Sequence, residues 1–175
     1  INPALYEHGE INLLLFAGLT AHDGENNVVP GLAETWSFDN NTNTYSFTLR
    51  DGLTFHDGDD LTAEDVKFTI DAIMDPANGS ENASNFEDVK EVKVIDDTHV
   101  DIVLTAPNVA MPDYLTIGIL PKHILEGEDL ATSRFNQNPV GAGPYKLASW
   151  DMGQAIVMEK FDDYYQGSPN IDTVV

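Results

Sequence analysis

Tyr45, Phe47 and Leu49 alternate with Ser46, Thr48 and Arg50. A two-residue period puts one set of side chains on each face, so 44–50 is predicted as a strand with one buried and one wet face. The run ends at Asp51-Gly52, and a short apolar piece, Leu53-Thr54-Phe55, ends at Asp57-Gly58. The two Asp-Gly pairs predict tight turns around a short extended segment. The period then changes. Thr62 suits a helix N-cap, and Asp65 stands three residues on, as in a capping box. Glu64 and Asp65 fall in the first turn, where the helix dipole favours negative charge. Val66, Ile70, Ile73 and Met74 form an apolar stripe, and Pro76 ends the helix near Asp75. A helix is therefore predicted over 62–74.

Weaker patterns fill in the rest. Residues 89–95 and 99–104 read as a hairpin around Asp96-Asp97-Thr98, with Val100, Ile102 and Leu104 on one face. Strands are predicted at 144–150 and 154–160, flanking Asp151-Met152-Gly153, and again at 171–175. Pro121 opens a short helix through Ile124 and Leu125. Near the start, Leu13, Phe16 and Ala17 are placed on one helical face by their spacing. Residues 22–31 read as a turn and 77–88 as a polar loop. In the run 138–143 the glycines are expected to supply positive φ and the proline to fix φ. Trp36 and Trp150 sit at the edges of apolar stretches. Both are expected to be largely buried, each Trp→Ala change costing roughly 3–5 kcal/mol. Strands and helices in this mixture indicate an α/β, mixed α+β fold.

Composition narrows the function. The 175 residues are 42% hydrophobic, enough for a packed core in one domain or in a lobe with a subdomain. No apolar run approaches the ~20 residues of a membrane helix. The chain opens Ile1-Asn2-Pro3 without Met, which suggests a processed or trimmed start. Acidic residues outnumber Lys and Arg by 30 to 8, for a net charge of -22. Such a surface repels phosphate backbones and anionic membranes, which argues against nucleic-acid partners. An excess this large suits a salt-rich medium, where self-repulsion is screened. Cysteine is absent, removing disulfides, thiol catalysis and Cys–zinc sites together.

The chemical motifs fail one by one. His8, His22, His56, His99 and His123 are scattered, with no His-Glu-x-x-His. His56-Asp57-Gly58-Asp59-Asp60 invites a calcium-loop reading. Counted from Asp57, however, the sixth position is Thr62 where the loop needs Gly, and the twelfth is Phe68 where it needs Glu. The segment is better read as a charged turn before a capped helix. Gly141 and Gly143 belong to no phosphate-loop pattern, and no Gly-x-Ser-x-Gly elbow exists. No catalytic residue, metal site or cofactor is therefore assigned.

The run Phe47 to Gly58, continuing Leu61-Thr62-Ala63-Glu64-Asp65-Val66, closely resembles the signature region of family 5 extracellular solute-binding proteins. So do Val29-Pro30-Gly31-Leu32-Ala33-Glu34-Thr35-Trp36, Ile119-Leu120-Pro121-Lys122-His123-Ile124 and Asn138-Pro139-Val140-Gly141-Ala142-Gly143-Pro144-Tyr145. The opening Ile1-Asn2-Pro3 and the closing Tyr164 to Pro169 also fit, so the likeness runs through the whole chain in order. The resemblance implies a non-enzymatic, extracytoplasmic component of an ABC importer, periplasmic or a cell-surface lipoprotein. It would be monomeric, would capture peptides and would deliver them to permease subunits. A binder of a nickel chelate or another small solute, or a sensory or scaffold domain on the same fold, is the alternative; a metal-dependent hydrolase is not expected.

The resemblance also implies a partial first lobe of a two-lobed periplasmic-binding-protein-like fold. Residues 1–32 and 131–175 would belong to lobe I, 33–130 would form an inserted subdomain, and the second lobe would be absent from this chain. It places ligand contacts near Tyr6, His8 and Glu10, with Tyr6 foremost because an aromatic hydroxyl both packs and hydrogen-bonds a ligand. Nickel-type members resemble this region but use an Arg before the segment matching Ile119-Leu120-Pro121. Tyr114-Leu115-Thr116-Ile117-Gly118 holds none, which favours peptides.

Overall fold

The computed structural model describes residues 9–151 and 153–175. Residues 33–104 build an antiparallel four-stranded sheet. Its strands β3 (Ala33–Asp39), β4 (Thr44–Leu49), β5 (Val89–Val94) and β6 (His99–Leu104) lie in the order β3-β4-β6-β5. The alternation in β4 works as expected: Tyr45, Phe47 and Leu49 are buried, and Phe47 stands opposite Val100 of β6. Helix α2 (Ala63–Met74) packs on β5 and β6 through Val66 and Ile70. Thr62 caps it with both halves of the capping box, and Asp75 closes it before Pro76.

Asp65 does more than cap. It is buried, and one carboxylate oxygen accepts the Thr62 N–H at 2.9 Å while the other accepts the Lys122 N–H at 2.9 Å. One side chain thus joins the start of α2 to the start of α4 (Lys122–Leu125), and a buried carboxylate is tolerated because donors surround it. Thr69 repeats the device one turn later, its Oγ1 accepting the Leu120 N–H at 2.8 Å.

A second layer forms around the three-stranded sheet β7 (Tyr145–Asp151), β8 (Ala155–Lys160) and β9 (Thr173–Val174). Helix α1 (Gly9–Leu15) rests on β7. Leu15, Tyr145 and Met158 make this smaller core, with Ile11, Leu14, Phe16 and Leu147 against it. A two-stranded pair, β1 (Thr20–His22) and β2 (Val28–Pro30), and the single turn α3 (Met111–Tyr114) complete the elements.

Several expectations are corrected. Leu13 is 74% exposed, and the buried stripe of α1 is Ile11, Leu14 and Leu15 instead, at spacings of three and four. The 22–31 turn is flanked by the β1–β2 pairing. The polar loop 77–88 contains a 3₁₀ turn, Ala83–Phe86, whose Phe86 is fully buried. Both tryptophans are partly buried, neither exposed nor fully enclosed. Trp36 lies on the edge strand β3, stacked on Phe47 with ring centres 6.0 Å apart and packed against the larger core, and Trp150 is half-buried near the end of β7. Partial burial means that part of the indole keeps its contact with water. Trp36→Ala is accordingly expected to cost about 1–2 kcal/mol, less than a core aromatic. Urea unfolding checks this against Phe47→Ala, which should cost about 3–5 kcal/mol.

Candidate functional site

Tyr6 and His8 lie outside the described residues. Glu10 is exposed on the first turn of α1. What the structure shows is how the segment leaving α1 is held. The Gly143 N–H donates to Leu15 O at 3.0 Å, the Ile119 N–H to Ala17 O at 3.0 Å, and the Gly31 and Ala33 N–H groups to Leu19 O at 3.0 Å each. Residues 15–19 thus run between three loops that bond them like a strand. Side chains would not fit there. A Cβ at Gly18 would meet Leu115 O at 2.6 Å, and one at Gly118 would strike the Phe16 Cβ.

Gly141 and Gly143 share this role, and it differs from the one expected of them. Positive φ occurs at Gly52 and Gly58, in the two Asp-Gly turns, but at neither Gly141 nor Gly143. These two are small because a Cβ at Gly141 would collide with Leu15 O and one at Gly143 with Leu14 O. The loop 138–143 is pressed against the chain that leaves α1.

His56 locks that loop from the other side. Its own N–H donates to Gly141 O at 2.9 Å, its Nδ1 accepts the Gly141 N–H at 3.1 Å, and its Nε2 lies 3.0 Å from Gly143 O. Since Nδ1 accepts, the proton sits on Nε2, and the ring is the neutral tautomer that donates to Gly143 O. Phe161 stands edge-on to the ring at 5.0 Å. Burial pushes the imidazole down from 6.5 to about 4, aided by the nearby Lys146 charge and opposed by the Gly143 bond and Asp57. His56 is a structural clasp between the signature run and the Gly141–Gly143 loop.

The neighbouring charges are also bound up in structure. His123 Nε2 lies 2.8 Å from Asp57 Oδ2, and its Nδ1 lies 3.1 Å from Asp59 Oδ2. Burial pushes the Asp57 carboxyl up, but the His123 hydrogen bond, the Asp59 amide and the His123 charge outweigh it and hold it below its usual value. Arg50 donates from Nε to Gly31 O at 2.8 Å and lies 5.1 Å from the centre of the Tyr165 ring. Among the described residues no group of three or more His, Asp or Glu is placed to hold a metal ion. An open cavity of ≈ 410 Å³ lies over α2 and α4, lined by Phe68, Leu125, Asp71 and Lys122 among others. Glu10 does not line it. Residue spacing had pointed to the signature run as structural, whereas its contacts with residues 141–143 are long-range and leave no local sequence signal.

Residues 27–175 match the family model described as bacterial extracellular solute-binding proteins, family 5 Middle. The oligopeptide-binding protein AppA of Bacillus subtilis is 36% identical over 171 residues, covering 94% of this chain and 32% of that protein. NikZ of Campylobacter jejuni, solved with Ni(L-His), superposes with a TM-score of 0.89 at 41% identity, over 92% of this chain and 33% of NikZ. AppA solved with a nonapeptide gives a TM-score of 0.88 at 34% identity, over 94% of this chain and 34% of that one. The chain thus spans about a third of the length of these relatives. With its mixed α/β fold matching theirs over that third, it belongs to the family 5 extracellular solute-binding proteins.

Proposed function

We propose that this chain is the amino-terminal part of an extracytoplasmic solute-binding component of an ABC importer, and that the whole protein captures peptides for transport. The observation that carries this reading is the correspondence, in sequence and in structure, with an oligopeptide-binding protein over nearly all of this chain. On this reading Tyr6, His8 and Glu10 contribute ligand contacts from a segment anchored by α1. Residues 1–32 and 131–175 belong to lobe I, and 33–130 form the inserted subdomain. The smaller core supports that division, being drawn from residues near 11–16 and 145–174. The larger core runs across the boundary, which would hold the subdomain against its lobe.

Binding in such a trap needs enclosure, so one wall of a cleft is expected to hold ligand poorly. The protein is a monomeric carrier without turnover, handing its solute to permease subunits. The likeness to NikZ favours a second reading, a nickel chelate. The absence of Arg from 114–118 speaks for peptides. Mass spectrometry and metal analysis of the material that co-purifies with the full-length protein separate the two. Peptides without nickel are expected; stoichiometric nickel would replace the peptide reading with the second.

A further inference from the structure

Three Asn-x-Ser/Thr acceptor triplets occur in the chain: Asn40-Asn41-Thr42, Asn78-Gly79-Ser80 and Asn82-Ala83-Ser84. Such a triplet is used only where its Asn side chain is accessible, outside the membrane and on the surface. The structure separates the three. Asn78 Nδ2 already donates to Ala72 O at 2.8 Å, tying it to the end of α2. Asn82 is half-buried, so its side chain is only partly accessible. Asn40 is exposed at the tip of the β3–β4 hairpin.

Asp39 organises that tip without using Asn40. Its carboxylate accepts the Asn41 N–H at 2.8 Å, the Asn41 Nδ2 at 3.1 Å and the Thr42 Oγ1 at 3.0 Å. Asn43 completes the turn in the left-handed region at φ 51. No hydrogen bond from another described residue engages the Asn40 carboxamide. The turn is therefore held rigid by its neighbours while the one acceptor nitrogen stays free. A large substituent at Asn40 would project into solvent without disturbing a contact.

We infer that Asn40 is a site of N-glycosylation, its carboxamide taking an oligosaccharide from a lipid-phosphate-linked donor through a membrane transferase. The amide nitrogen attacks the anomeric carbon. The carbon–oxygen bond to the lipid phosphate breaks, the bond pair leaves with the phosphate, and the nitrogen loses one proton. The inference rests on the extracytoplasmic reading above, since donor and transferase act on that side of the membrane. A glycan there would also shield the end of β3, an edge strand with Trp36 and Phe38 partly open to water.

The test is peptide mass spectrometry of the full-length protein purified from its own source organism, with cell fractionation alongside. A glycan mass on the Asn40 peptide, lost in Asn40→Gln and in Thr42→Ala but kept in Thr42→Ser, is expected. An extracytoplasmic protein with Asn40 bare overturns the inference and leaves the location standing. A cytoplasmic protein with Asn40 bare overturns both. A glycan on Asn78 or Asn82 with Asn40 bare, or a mass that survives Asn40→Gln, overturns the choice of Asn40.

Discussion

Gly141→Ala is expected to destabilise the protein by about 3 kcal/mol, the upper end for overpacking a rigid site. The methyl group would collide with Leu15 O and lie 2.8 Å from the Leu15 carbonyl carbon and 2.9 Å from Phe16 Cδ1. Backbone atoms cannot rotate aside as a flexible side chain does. Relief would have to move the loop, and moving it breaks the Gly143 N–H bond to Leu15 O and both bonds between His56 and Gly141. The damage therefore spreads from one methyl group to the clasp between the signature run and the chain leaving α1. Urea unfolding should show a lower midpoint at unchanged slope. Gly24→Ala is the control, because a Cβ there meets nothing within 4 Å, and it should fall within about 0.5 kcal/mol of the parent. Equal stability of the two variants would mean the loop is not pressed against Leu15.

The second large effect is acid sensitivity through His56. Its imidazole has a folded-state value of about 4 against 6.5 in the unfolded chain. Above the unfolded value the ring is neutral in both states, and its contribution is complete. As pH falls from 6.5 toward 4, the unfolded chain takes up a proton that the folded protein refuses, so stability falls with it. Below the folded value both states are protonated and the loss levels off. The integrated loss is about 3 kcal/mol. His56→Gln keeps a donor and an acceptor but does not titrate. The difference between parent and variant, followed by urea unfolding from about pH 7.5 to pH 4, isolates the effect from the many carboxylates. A parent curve parallel to that of the variant would show that the ring is not held neutral.

Elements governed by local rules could be read from the chain itself. The alternation of Tyr45, Phe47 and Leu49, the Thr62–Asp65 capping box and the turn at Asp96 each involve neighbours a few residues apart, and the structure repeats them closely. Features set by distant partners could not be read that way. Phe86 sits in a polar run and is buried by elements far along the chain. Trp36 packs against the core only in part, and its place on an edge strand is a property of the sheet order. Gly141 has the same letter as a turn glycine, and only the arrival of Leu15 from more than a hundred residues away tells the two uses apart.

The candidate site shows the same limit. Resemblance placed it at Tyr6, His8 and Glu10, of which the described residues include only Glu10, exposed at the start of α1. Spacing and periodicity alone gave no sign of it, because three polar or aromatic residues in a short stretch carry no periodic signal.

The central claim is that this chain supplies one wall of a two-walled trap. Its most direct test is calorimetric titration of the 175-residue chain and the full-length protein with the same co-purified ligand. Enclosure between lobes covers most of a ligand's surface and excludes water, so removing one lobe should weaken binding by at least about a hundredfold, or roughly 2.7 kcal/mol. Equal affinities would place the whole site within residues 1–175 and contradict the two-lobed account.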